Sequence, residues 1–170
     1  MHDHRQLYLL RHATAQPENP YKMDFNRCLT AQGKKELSEV KRYLTQHKEI
    51  KPEIILCSKA KRCKQTLNAL QPFFTHSHII LHHFLYLSSV YTILEILRFI
   101  GDDYDNVLII GHNKTFIEII NFLIQDKRKR DKMFPKGCTC GTLIGLDFED
   151  TKRWQDLPFH EPKVKNIFYP

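Results

Sequence analysis

Hydrophobic positions along the chain fall into two alternating kinds of block. Short, nearly continuous apolar runs occur at 6–10, 53–57, 78–81, 107–110 and 142–148, and several are apolar at successive positions rather than every second one. That pattern predicts strands buried on both faces, as in a parallel sheet covered by helices. Between the runs the apolar spacing becomes helical. Leu37, Val40 and Leu44 follow Thr30, a residue able to cap a helix running to about position 47, with Pro52 beyond its end. Ser58, Ser88 or Ser89, and Asn113 are placed to cap three more helices, the last carrying Phe116, Ile119, Ile120 and Leu123. From Asp150 onward the pattern fades among Pro158, Pro162 and Pro170, and no element is predicted there, although Trp154 is expected to pack this tail onto the body. No repeat or low-complexity linker divides the chain. The expected architecture is a single α/β domain over residues 1–170, three-layered, with a mostly parallel sheet and helices on both faces. Its core spans about 6–148, followed by a tail at 150–170.

Composition narrows the class further. With 170 residues, 42% hydrophobic and 26% charged, the chain has the makeup of a globular domain rather than a disordered or fibrous one. Twenty-six Lys and Arg against nineteen Asp and Glu give a formal charge of +7, favouring anionic partners such as phosphate esters or phosphoproteins. The excess is modest and no aromatic–basic recognition motif accompanies it, so a nucleic-acid partner is not expected. No apolar run approaches a membrane span, and Leu7 to Leu10 is too short for a secretory core, so a cytoplasmic chain without a membrane partner is expected. Five cysteines, Cys28, Cys57, Cys63, Cys138 and Cys140, are odd in number and lack a paired Cys-x-x-Cys frame. They fit a reducing compartment and read against a disulfide scaffold or a zinc site. His2, His4, His76, His78, His82 and His83 show no helical i, i+4 ligand pair with a carboxylate, so no metal or other cofactor is expected. The basic run from Lys127 to Arg130, with Lys132, reads as a solvated helix end complementing the helix dipole.

The candidate chemistry lies where the strands stop. In open α/β sheets the binding crevice forms beyond the carboxyl ends of the strands. The first run ends at Arg11 and His12. The second is followed by Ser58 and then Arg62, and the fourth by Gly111, His112 and Asn113. Two histidines and two arginines can therefore converge although a hundred residues separate His12 from His112. An arginine fork matches phosphate oxygens and stays charged, while a neutral imidazole can attack phosphorus and become covalently phosphorylated. Neither a Gly-x-x-x-x-Gly-Lys loop nor a Gly-x-Gly-x-x-Gly turn is present among six glycines.

Four ordered segments carry a family resemblance. Leu-Tyr-Leu-Leu-Arg-His-Ala-Thr-Ala, ending at Ala15, resembles the Arg-His-Gly signature of the histidine phosphatase (phosphoglycerate mutase-like) superfamily, in the Arg-His-Ala form of the small SixA-type phosphohistidine phosphatases. Asp24 to Gly33 resembles its Asp-x-x-Arg-x-Leu-Thr-x-x-Gly segment. Ser58 to Thr66 resembles Ser-x-x-x-Arg-x-x-x-Thr, and Gly111 to Asn113 resembles Gly-His-Asn. The resemblance implies a phosphoglycerate mutase-like fold and a phosphatase working through a covalent phosphohistidine. In it His12 is the nucleophile and Arg11, Arg62 and His112 surround the phosphoryl group, with Asn113 and Tyr86 as candidate substrate contacts.

One departure bears on substrate. Larger family members carry a carboxylate general acid after the third strand, and the stretch from Phe84 to Val90 has none. Tyr86, His82 or His83 are the substitutes at hand. Without an efficient acid, an alkoxide leaving group is slow to depart, whereas the imidazole of phosphohistidine leaves readily. A phosphorylated signalling protein is the favoured partner. The alternatives are a broad small-molecule phosphomonoesterase and a weakly catalytic module that only binds phosphate or phosphoprotein. At the dipole-positive start of its helix, His112 is expected to resist protonation until a dianionic phosphoryl group arrives. Nothing in the sequence bears on oligomeric state.

Overall fold

A computed structural model describes residues 4–21 and 23–170; His2 lies outside them. Six strands form one sheet: β1 (His4–Arg11), β2 (Ile54–Ser58), β3 (His78–His82), β4 (Asn106–Gly111), β5 (Leu143–Glu149) and β6 (Lys163–Phe168). Their order across the sheet is β3-β2-β4-β1-β5-β6, with β1, β2, β3 and β4 mutually parallel and β5 antiparallel to both its neighbours. The five predicted strands are present. β2 and the interior of β4 are buried throughout, which is why their sequence runs are continuous instead of alternating.

Helices cover both faces. On one, α1 (Ala31–Gln46) and α2 (Lys61–Leu70) bury Leu37, Val40, Leu44, Cys63 and Leu67 against the sheet residues Tyr8, Leu10, Ile55, Leu108 and Ile110. On the other, α3 (Val90–Phe99) and α4 (Asn113–Leu123) bury Ile93, Leu97, Phe116 and Ile119 against Leu7, Leu9, Ile54, Leu56 and Ile109. The result is the expected three-layer α/β/α domain. Because β4 lies between β1 and β2, the chain ends of these three strands are adjacent, and Arg11, Ser58 and Gly111 finish them at one edge of the sheet.

The four cap candidates behave as the side chains predict or differ instructively. Thr30 caps α1, its Oγ1 accepting from the backbone N–H of Gly33 at 3.1 Å, and Ser89 rather than Ser88 caps α3. Ser58 does not cap α2, whose N-cap is Ala60, and Asn113 is the first residue of α4 rather than its cap, a position held by the backbone of His112. Both side chains lie at the strand ends discussed below.

Two expectations are corrected. The tail at 150–170 is structured. A 3-10 segment (Trp154–Phe159) leads into β6, which pairs with β5, and Trp154 is fully buried with its indole N–H donating to the Tyr104 carbonyl at 2.8 Å. The strand is hidden in sequence because Lys163, Lys165 and Asn166 interrupt apolar residues that are only partly buried, the mark of an edge strand. The basic run forms a helix of its own, so only Arg130 and Lys132 lie in a last turn and complement a helix dipole, while Lys127 to Lys129 open the helix. That helix, α5 (Lys127–Met133), is capped by Asp126, and Arg130 reaches back to the end of α4, donating to the carbonyl of its C-cap Ile124 at 2.5 Å and to that of Gln125 at 2.7 Å.

Gly33 sits where α1 presses on the segment following β1. A Cβ there would lie 2.2 Å from the carbonyl oxygen of Thr14, two residues past His12. Replacing an exposed helical glycine by alanine ordinarily gains up to about 1 kcal/mol. Gly33→Ala should instead lose about 1–3 kcal/mol through backbone displacement, readable as a lower urea midpoint with unchanged slope.

Candidate active site

The sheet edge collects side chains that are individually unremarkable and collectively unusual. His12 and His112 are each only 7% exposed and Arg62 only 4%, so a permanent cation and two imidazoles share a nearly dry space. His12 follows β1 and is bonded through Nδ1 to the carbonyl of its neighbour Ala13 at 2.8 Å. A carbonyl only accepts, so Nδ1 carries the proton and Nε2 holds the lone pair. Into that lone pair Arg62 donates from Nε at 3.1 Å.

Arg62 is the centre of the arrangement. Its Nη1 donates to the Asp24 carbonyl at 2.8 Å, and its Nη2 reaches both the Asp24 carboxylate at 3.0 Å and His112 Nδ1 at 3.2 Å. The two imidazole rings stand edge to face with centroids 5.4 Å apart. His112 turns its other nitrogen to Ser58 Oγ at 3.0 Å. Tyr86 closes the wall, donating from its hydroxyl to the same Asp24 oxygen, Oδ2, at 2.7 Å and lying 5.5 Å from the His112 ring, centroid to centroid, while Arg27 Nε donates to Oδ1 at 2.8 Å. The next residue, Leu87, has φ of 55°, a left-handed conformation that costs an L-residue roughly 1–2 kcal/mol and that turns the exposed chain away after Tyr86.

Electrostatics follow from burial. Burial, then the positive Arg62 and Arg11, push His12 down to about 4 despite the opposing bond from Nδ1 to Ala13. Burial first, then Arg62 and His12, push His112 down to about 3, with Asp24 pulling the other way. Desolvation thus accounts for the neutral state of His112 more than the helix dipole invoked from sequence. Asp24 stands well below the usual carboxylate range. Partial burial would raise it, but bonds from Tyr86, Arg27 and Arg62 outweigh that. Tyr86 is pushed up, by burial and by its bond to Asp24.

Of the residues singled out in sequence, His12, Arg62, His112 and Tyr86 meet in one hydrogen-bonded and ring-stacked group. Arg11 ends the same strand and its charge acts on both histidines, but its guanidinium is bonded to the Cys138 carbonyl at 2.6 Å, and its buried Nε has no partner. Asn113 opens α4 with its Oδ1 buried and unpartnered. His82 turns aside into an apolar cavity of about 700 Å³ against Tyr91 and Phe99 of α3, and His83 packs on Phe25. Three contributors escaped the sequence reading as site residues: Asp24, Ser58 and Thr66, the last accepting from Ala13 N–H at 3.2 Å and donating to the Arg62 carbonyl at 2.9 Å. All three are fixed polar letters of the ordered segments, which was the available signal. Among the described residues no group of three or more His, Cys, Asp or Glu is arranged to hold a metal ion.

No protein-family model matches the chain, and no curated protein matches it in sequence. Solved structures do. A candidate phosphohistidine phosphatase SixA from Agrobacterium tumefaciens superposes with a TM-score of 0.83 at 25% identity, covering 98% of both chains. A second candidate SixA, from Nakamurella multipartitia, gives 0.80 at 26% identity over 98% of this chain and 96% of that one. A phosphoglycerate mutase from Plasmodium falciparum gives 0.64 at 17% identity, covering 96% of this chain and 89% of that one, a likeness of fold. The chain has the phosphoglycerate mutase-like histidine phosphatase fold, and its resemblance within that fold is to the SixA type.

Both histidines are neutral in the folded protein and titrate ordinarily when unfolded, so as pH falls through about 6.5 the unfolded chain takes up their protons first. Stability should therefore decline from about pH 6.5 to about 3, the part due to His12, on the order of 3 kcal/mol, being complete near pH 4 and the rest coming from His112. His12→Asn should flatten this stretch of the curve. Urea unfolding of both proteins at graded pH measures it; parallel curves would mean that His12 is not held neutral.

Proposed function

We propose that the protein is a phosphohistidine phosphatase acting through a covalent phosphohistidine on His12. One observation carries the reading: Nδ1–H of His12 is tied to the Ala13 carbonyl, and Nε2, unprotonated at neutral pH, faces a permanent cation beside a second histidine. The likeness to SixA structures over nearly the whole chain supports it. In the first step Nε2 attacks phosphorus, an N–P bond to His12 forms, and the bond to the substrate's imidazole breaks with the electron pair leaving on that ring. Water then attacks the phosphoenzyme, inorganic phosphate departs, and the pair returns to Nε2. Arg62 and Arg11, joined by His112 once the phosphoryl group has drawn a proton onto it, are the groups that stabilise charge on the transferring oxygens, and the two fixed cations make a metal unnecessary. Asn113 is the further substrate contact, at the start of α4. A domain of this fold over the whole chain, with no membrane-crossing helix among the described residues and five free thiols, suits a cytoplasmic enzyme meeting a phosphorylated protein.

The leaving group argues for phosphohistidine. A general acid must hold a proton at working pH, and Asp24 is fully ionised. Tyr86 is a weaker acid than usual, and its proton is committed to Asp24. An imidazole needs little help to leave, whereas an alkoxide does.

Acid-labile phosphate should accumulate on His12 when turnover of a phosphohistidine protein is quenched in base, and His12→Ala should abolish both label and activity. Label on another residue would refute the mechanism, and activity lost to a chelator and restored by a divalent ion would refute metal independence. Across phosphoesters of graded leaving-group pKa, kcat/KM should fall steeply as basicity rises, aryl phosphates well ahead of phosphoserine. A flat series would mean an efficient acid is present and would favour the phosphomonoesterase reading. Removing the Arg62 fork should cost about 10²–10³ in kcat, since a charge-assisted donor aimed at the transition state is lost. For Arg62→Ala a rise in KM alone would assign it to binding.

A further inference from the structure

Ser58 is an N-cap candidate by sequence and a completely buried non-cap in the fold. Its Oγ receives a long contact, 3.4 Å, from the backbone N–H of Ala60 at the start of α2 and lies in hydrogen-bond reach of the weakly bonding Cys63 thiol, while lying 3.0 Å from His112 Nε2. Cys63 Sγ is the other atom near that nitrogen, at 3.7 Å, and a thiol is a weak partner for an imidazole N–H. The opposite nitrogen, Nδ1, faces Arg62 Nη2 at 3.2 Å. A guanidinium can only donate, so Nδ1 must present its lone pair and Nε2 must carry the proton. Ser58 Oγ is then the acceptor of Nε2–H. The hydroxyl thus has one strong partner, and that partner is an imidazole in the site.

We propose that Ser58 is a positioning residue that fixes the tautomer and orientation of His112, so that Nδ1 is the atom that meets the transferring phosphoryl group. This rests on the phosphatase reading above. With Nε2–H held by Ser58, any proton gained by His112 goes to Nδ1. When a phosphoryl dianion enters, its charge draws a proton from solvent water onto Nδ1, leaving hydroxide to be neutralised by buffer. The ring becomes an imidazolium that donates to the phosphoryl oxygen from Nδ1 and to Ser58 from Nε2. No covalent bond forms or breaks in this step. Without the acceptor, a buried Nε2–H would go unpaired, and the ring would be free to exchange tautomers or turn.

The state of His112 can be read without catalysis. In protein labelled with ¹⁵N-histidine, and with the His112 signals assigned by their loss in His112→Asn, the free enzyme should show protonated Nε2 and bare Nδ1. Adding inorganic phosphate should protonate both nitrogens. In Ser58→Ala the free-state pattern should become mixed or reversed, with kcat down about 10–100-fold, the scale of losing an orienting partner, and KM changed much less. Phosphoenzyme should still form on His12, more slowly, so loss of the label in the wild type would indict the phosphatase reading and not Ser58. Ser58→Cys, nearly the same size, guards against a folding defect and should resemble Ser58→Ala in tautomer and kcat. A His112 that is Nδ1-protonated in the free wild type, that stays bare at Nδ1 in saturating phosphate, or that keeps its tautomer and rate in both Ser58 variants would overturn the proposal.

Discussion

Burying one guanidinium organises this site. Arg62 is a permanent cation in a nearly dry space, and an unpaired charge there would cost several kcal/mol. The structure compensates it with the Asp24 carboxylate and carbonyl, and then uses what is left of its donor fork to face the lone pairs of two imidazoles. Each consequence follows from that placement. Neither imidazole can turn a proton toward Arg62, so both tautomers are set. The cation also adds to burial in holding both rings neutral, the form in which His12 can attack. Asp24 is locked in its ionised form by the same pairing. A lysine would keep the charge but not the fork that reaches four acceptor atoms at once.

The fold supplies rigidity where this geometry needs it. Arg62 and Thr66 are one turn apart on α2 and bear on His12 and on the N–H of Ala13, while Ser58, at the end of β2, bears on His112. One strand-turn-helix unit therefore orients both histidines, which themselves end neighbouring strands joined in register from Gln6 and Asn106 to Arg11 and Gly111. Some imperfections lie at the same edge: the unpartnered Arg11 Nε and Asn113 Oδ1, and the left-handed Leu87. Unsatisfied groups and strain persist where the surroundings hold them, and of these the Arg11 Nε–H is a donor with bonding capacity to spare for an anion, whereas Asn113 Oδ1 can only accept.

Strand positions were legible because buried parallel strands leave continuous apolar runs, and the convergence of His12, Arg62 and His112 was legible because strand ends in such sheets share a crevice. What stayed hidden has physical reasons. β6 is an edge strand with one wet face, so its mixture of Lys163, Lys165 and Asn166 with weakly buried neighbours looks like loop. The run from Lys127 to Arg130 reads as a helix end because its charges are solvated on either assignment, and only the break at Ile124 to Asp126 shows that a new helix begins. Ser58 and Asn113 both look like caps, since polarity at a strand-helix junction is what a cap requires. Which hydrogen bond such a side chain makes is decided by residues fifty positions away, information no local pattern holds.

Asp24 illustrates how the same residue type can be present at a site and unable to serve as its acid. A carboxyl donates a proton only if its environment penalises the charged form, by burial or by a like charge. Here Arg62, Arg27 and the Tyr86 hydroxyl all favour the carboxylate, and Asp24 remains partly solvated. The carboxylate has been spent on anchoring the arginine, and the tyrosine on completing that anchor, so the site concentrates its resources on the phosphoryl group and offers little to what leaves. A catalyst built in this way is efficient only where the substrate's own chemistry makes departure easy. On the proposed function that condition favours N–P bonds and activated esters over alkyl phosphates, and it does so through the pairing of Arg62 with Asp24, before any contact specific to the substrate is considered.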